Sequence, residues 1–124
     1  MKLKLKIISR SSPLALKQVE IVEKKLSKFF ELEIIKIKTA ADKALNKPLY
    51  EIGGKGLFVK DLEKLLLEKK ADIAIHSLKD METQLTANTK IFAVTKRESK
   101  YDVLISNYDD LASLPKNSII GTSS

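Results

Sequence analysis

The sequence predicts a single α/β domain built on a partly parallel sheet. Three observations carry that reading. Lys2, Lys4 and Lys6 alternate with Leu3, Leu5 and Ile7, a period-two strand pattern. A stretch of three-four apolar spacing follows, and a second strand-like run comes after it, so the chain opens as β-α-β. The 124 residues are 44% hydrophobic and 31% charged, a balance that can bury a core and does not read as disordered.

The first strand is expected over Leu3 to Ser9. Ser12 has the hydroxyl of an N-cap and Pro13 suits the first helical position, so a helix starts there. Ala15, Val19, Val22, Leu26 and Phe29 form its apolar stripe, with lysines on the outer face. Leu32 to Lys38 returns as a strand. Thr39 to Glu51 has no clear period and reads as a surface loop leading into Gly53-Gly54-Lys55-Gly56. Phe58, Leu62, Leu65 and Leu66 mark the buried face of a second helix through about Lys69. Strands are then expected over Asp72 to His76, Ile91 to Thr95, Asp102 to Ser106 and Ser118 to Gly121, with a helical turn at Asp109 to Leu114.

Composition excludes several functions. The chain has no cysteine, so it can form no disulfide, thiolate metal site or cysteine nucleophile, which fits a reducing cytoplasm. Its apolar runs are too short for a signal peptide or a membrane span, so a soluble protein is expected. A formal net charge of +7 favours an anionic partner without naming it. That charge is spread over several helices with no stacking aromatics and no binding motif, which argues against a nucleic-acid module.

Candidate sites cluster at strand ends and turns. Ala71 to Asp80 delivers Ser77, Lys79 and Asp80 to a strand tip, where α/β proteins place sites for charged ligands. Lys79 and Asp80 read equally as a surface ion pair or as a binding cation beside a working carboxylate. Arg10 and Ser12 lie between the first strand and its helix, where a guanidinium and free N–H groups can receive a carboxylate or phosphate. Gly53-Gly54-Lys55-Gly56 can cradle an anion, though alone it reads as a turn. His76 is the only histidine, has no second histidine or ligand spacing near it, and reads as a buried, hydrogen-bonded structural residue, so no metal site is expected.

Taken together these segments resemble the porphobilinogen deaminase (hydroxymethylbilane synthase) family. The blocks are ISRSSPLAL at 8–16, GGKGLFVKDLE at 53–63, ADIAIHSLKD at 71–80 and IIGTSS at 119–124, in order and at compatible spacing, with KRESKYDVLIS at 96–106 between them. The resemblance implies a lobe like those of type II periplasmic binding proteins, with a mixed, mostly parallel sheet flanked by helices. Residues 1–96 would supply most of domain 1 and 97–124 the start of domain 2, truncated early in that second lobe. The family's following Leu-Arg-Arg and the cysteine of a third domain, which carries the dipyrromethane cofactor through a thioether, would lie beyond this chain. The 124 residues alone are therefore expected to be inactive, and with uncovered sheet edges they are expected to self-associate, although the family is typically monomeric.

The same resemblance implies a cytoplasmic transferase that joins four porphobilinogen molecules head to tail and releases ammonia each time, in porphyrin and heme biosynthesis. Asp80 takes the catalytic role, stabilising positive charge at pyrrole N–H groups and assisting proton transfer. Arg10, Ser12, Lys55, Lys60, Lys79, Thr122, Ser123 and Ser124 match positions that bind cofactor or substrate carboxylates, and Ser77 matches a serine near the cofactor. Ser11, Ala41 and Glu82 depart from the family pattern, which has glycine, glycine and proline there. The other class considered is a non-catalytic anion-binding lobe of the periplasmic-binding-protein type, which explains the βα order and the charge but not the match at Lys79-Asp80.

Overall fold

In the computed structural model, residues 1–39, 42, 56 and 58–122 are described. The chain divides into two units, Met1–Val94 and Thr95–Ser124. Within the first, the elements are β1 (Leu3–Arg10), α1 (Pro13–Leu26), β2 (Phe30–Ile37), α2 (Lys60–Leu67), β3 (Ile73–Ala74) and a 3-10 turn (Leu78–Asp80). The three strands form one sheet in the order β2-β1-β3, and both pairings are parallel. The expected β-α-β opening is present, with β1 as the central strand.

Local chemistry sets the boundaries. Ser12 caps α1: its Oγ accepts the Ala15 N–H at 3.3 Å, with Pro13 at the start of the helix. Ala15 and Val19 are buried. The helix ends at Leu26, one turn earlier than the apolar stripe suggested, because β2 begins at Phe30; Phe29 falls in the connection and is exposed. Before α2, the Gly56 carbonyl accepts N–H groups from Val59 and Lys60, and Gly56 has a φ of 71°, a left-handed conformation in which a side chain is disfavoured. Phe58 therefore lies in the entry turn and not on the helix. At the other end Lys69 is left-handed (φ 57°), with Lys69 N–H donating to Leu66 and Lys70 N–H to Leu65, a Schellman-type termination without glycine.

Alternation along β1 divides its side chains between two layers. Ile8 packs with Leu62 and Ala71, flanked by Ile35, Ile37, Leu65, Leu66 and Ala74, so this face meets α2. Ile7 and Ser9 point to the opposite face by the period of two, and both are fully buried. The right-handed sense usual for parallel β-α-β crossovers would put α1 on that face. β3 is shorter than the five residues expected, but its pairing continues at both ends. Asp72 N–H donates to Lys6 O at 2.9 Å, Ile75 N–H to Ile8 O at 3.0 Å, and Lys6 N–H to the Asp72 carboxylate at 2.7 Å.

The later strand expectations are corrected. Among the described residues no strand follows Ala74, so Ile91–Thr95, Asp102–Ser106 and Ser118–Gly121 run without ladders. A strand exists only against a neighbouring edge, and apolar alternation reports a face without reporting a partner. Ile91, Phe92, Val94, Val103, Ile105, Ile119 and Ile120 are accordingly exposed. The helical turn expected at Asp109 to Leu114 is a local turn in which Ser113 N–H donates to the Asp110 carboxylate at 2.8 Å. Of the loop expected at Thr39 to Glu51 and the glycine run after it, only Thr39, Asp42 and Gly56 fall within the described residues.

Candidate active site

β1 ends in Arg10, on the same face as Ile8 and therefore toward α2. The guanidinium carbon lies 4.0 Å from the centre of the Phe58 ring, a cation–π stack. Arg10 also grips Asp42 with a two-pronged contact, Nε donating to Oδ2 at 3.2 Å and Nη2 to Oδ1. Thr39, fully buried, braces Asp42: its backbone N–H and its hydroxyl donate to Oδ2 at 3.0 and 2.8 Å, and the Asp42 N–H donates to Thr39 Oγ1 at 3.2 Å. Charge-assisted hydrogen bonds from Arg10, helped by Thr39, hold the Asp42 carboxyl down at about 2. Asp42 is thus ionised at any physiological pH.

The segment leaving β3 supplies the other wall. Ser77 is extended, and then Asp80 N–H donates to Ser77 O at 3.0 Å to close the 3-10 turn. That turn brings Asp80 Oδ2 to 3.9 Å from Arg10 Nη1 and Asp80 Oδ1 to 2.9 Å from Lys79 Nζ. The Asp80 side chain keeps 18% of its surface and that of Lys79 keeps 75%. The carboxylate is partly shielded, while the ammonium that pairs with it stands in solvent. Ser77 points to the α1 layer, where Gln18 Nε2 donates to its Oγ at 2.6 Å. Arg10, Ser12, Ser77, Lys79 and Asp80 line one pocket together with Gln18 and His76.

His76 is largely buried, and its Nε2 has no hydrogen-bond partner among the described residues. Burial lowers its pKa, against smaller raising effects of Glu63 and Asp80. The fold therefore favours neutral His76, and the unfolded chain binds the proton more readily. This contribution is fully present above the ordinary value of 6.5 and is lost as pH falls below it. Replacing His76 with Gln is expected to flatten the pH dependence of stability between pH 7.5 and 5, read from urea midpoints. An unchanged slope would refute the assignment.

The expected site residues separate into groups. Arg10, Ser12, Ser77, Lys79 and Asp80 share the pocket. Lys60 begins α2 and lines a different groove with Glu63, Lys64 and Thr86. Thr122 belongs to the second unit. Lys55, Ser123 and Ser124 lie outside the described residues, as does Ala41. Four contributors escaped the sequence reading: Gln18, Thr39, Asp42 and Phe58. Gln18 sits on a helix face read only for its lysines, and Asp42 in a stretch without period. Phe58 was assigned to the apolar face of α2. Glu63 was missed too: it is 7% exposed and accepts a hydrogen bond from Thr86 Oγ1.

A parallel sheet with two carboxylates and two cations gathered where β1 and β3 end is the arrangement in which α/β proteins place sites for charged ligands. Comparison with known proteins narrows this class. Residues 5–124 match the family model described as "Porphobilinogen deaminase, dipyromethane cofactor binding domain". Porphobilinogen deaminase of Buchnera aphidicola (subspecies Acyrthosiphon pisum, strain Tuc7) is 48% identical over 97% of the chain and 40% of its own length. That of Legionella pneumophila (strain Philadelphia 1) is 47% identical over 97% and 40%. A probable porphobilinogen deaminase of Metallosphaera sedula is 49% identical over 98% and 42%. The chain belongs to the porphobilinogen deaminase family, and it spans about 40% of the length of the curated relatives it matches.

Proposed function

We propose that this chain serves the reaction its relatives are named for: the stepwise head-to-tail condensation of four porphobilinogen molecules, with loss of ammonia, to hydroxymethylbilane. The observation that carries the reading is the placing of Asp80, a shielded carboxylate flanked by Lys79 and Arg10 at the end of the sheet. A carboxylate there accepts pyrrole N–H hydrogen bonds, stabilises positive charge on the ring and takes up a proton released there. Lys79 meets the acetate or propionate of the ligand as a mobile point charge. Ser12 and Ser77 border the same pocket and offer hydroxyls. Lys55, Lys60, Thr122, Ser123 and Ser124 complete the proposed carboxylate contacts.

The donor set suits a dipyrromethane: an acceptor for its N–H groups in Asp80 and an exposed ammonium for its carboxylates in Lys79. When bound, that group supplies the pyrrole end on which condensation proceeds. The sequence has no cysteine, so these residues can hold the group but not form its thioether. The parallel sheet and the boundary at Val94 support a periplasmic-binding-protein-like lobe with domain 1 over 1–96 and domain 2 opening at 97–124. Among the described residues no helix is long and apolar enough to cross a membrane, which is compatible with a cytoplasmic site of action.

The test is direct. The native gene product carrying this chain is expected to release ammonia from porphobilinogen and to form hydroxymethylbilane, followed by chromatography. Binding of simple anions as tightly as porphobilinogen, with no ammonia released, would defeat the proposal.

A further inference from the structure

Glu82 stands where the family pattern has proline, and the backbone there does not call for an acid. Met81 before it is extended, at φ −75° and ψ 142°, the conformation that a following proline itself requires. What glutamate adds is a charged side chain, and that side chain has a defined place. Its Oε1 lies 2.6 Å and its Cδ 3.1 Å from the point that a Cβ on Gly56 would occupy, and Cε of Lys60 lies 3.4 Å from the same point. Carboxylate and lysine stem therefore share one spot over the bare Cα of Gly56. Oε1 is buried and has no hydrogen-bond partner among the described residues. Lys60 is exposed at the start of α2 and is not bridged to Glu82.

We infer that Glu82 sets ligand affinity: its buried carboxylate weakens the hold of Lys60 on the carboxylates of the ligand. A negative charge beside a receptor ammonium repels an incoming carboxylate, and it offers the ammonium an internal partner that a ligand must displace. Burial without a hydrogen-bond donor leaves that charge little screened. A proline at this position would carry none of it. The inference rests on the proposed function, which gives Lys60 a carboxylate contact, and adds a residue that acts through Lys60.

Glu82→Gln tests it, since the amide keeps the shape and loses the charge. In the native gene product, KM for porphobilinogen is expected to fall about 3- to 10-fold, with kcat changing less than about twofold. In a Lys60→Met background, which itself raises KM, the same substitution is expected to leave KM where it is, the signature of two coupled groups. A KM unmoved or raised by Glu82→Gln, or a fall that persists without Lys60, would overturn the inference. Glu82→Pro removes charge and side chain together and is expected to lower KM likewise, which covers the case in which Glu82→Gln does not fold. If the unaltered protein does not turn over porphobilinogen, the functional reading fails separately. Calorimetric binding of glutarate, a plain dicarboxylate, to the same variants then decides. Tighter binding to Glu82→Gln that needs Lys60 supports the inference, and equal binding, or none, refutes it.

Discussion

Asp80→Asn is expected to slow porphobilinogen turnover by about 10²- to 10⁴-fold, the usual contribution of a positioned acid–base group. The substitution is nearly isosteric, and the 3-10 turn that presents the side chain is held by backbone hydrogen bonds from Asp80 to Ser77 and from Met81 to Leu78. Folding is therefore expected to survive while the negative charge and the basic lone pairs are lost. Lys79→Met is expected to act differently, raising KM more than it lowers kcat, because that side chain is exposed and is proposed to meet the ligand as a charge. The check is steady-state kinetics on both variants, with thermal melts to confirm that each is folded. An Asp80→Asn enzyme with kcat within threefold of the parent would remove Asp80 from the chemistry.

Ile8→Ala is expected to produce the largest loss of stability of any single truncation in β1. Ile8 is fully buried on the central strand, against Leu62 and Ala71 and beneath Ile35, Ile37 and Ala74. Truncating such a residue costs about 2–5 kcal/mol through lost transfer free energy and the cavity left behind. Domains are commonly stable by only about 5–15 kcal/mol, so the variant sits near or beyond the edge of folding. Ile8→Val removes a single methylene and is expected to cost about 0.5–1.5 kcal/mol. Urea unfolding followed by circular dichroism measures both. Equal midpoints for the two variants would show that the core does not close over this position.

Much of this architecture was legible because its causes are local. The Lys/Leu alternation of β1, the Ser12-Pro13 helix start and the β-α-β order depend on neighbours a few residues apart. The parallel pairing follows from that order. The site was legible at Arg10, Ser12, Ser77, Lys79 and Asp80, whose residue types stand at strand ends and fit a family pattern. What stayed hidden depends on distant partners. Asp42 meets Arg10 across 32 positions of sequence and Gln18 meets Ser77 across 59, and neither pairing leaves a local signature. The strands expected between Ile91 and Gly121 failed for the same reason in reverse: a suitable alternation is present there, and no ladder accompanies it.

The order β2-β1-β3 also fixes a sequence of assembly. β1 pairs with β2 through eight residues whose partners are 27 positions apart, from Leu3 with Phe30 to Arg10 with Ile37. β3 joins through two ladder pairs 66 positions apart, Ile7 with Ile73 and Ile8 with Ala74. The longer closure costs about 0.8 kcal/mol more in chain entropy, and fewer hydrogen bonds repay it. The β1-α1-β2 segment can therefore form while the rest of the chain is still searching. Arg10 then waits at the end of a finished strand for Asp80 to arrive, and the pocket is expected to be the last part of the unit to close and the first to open.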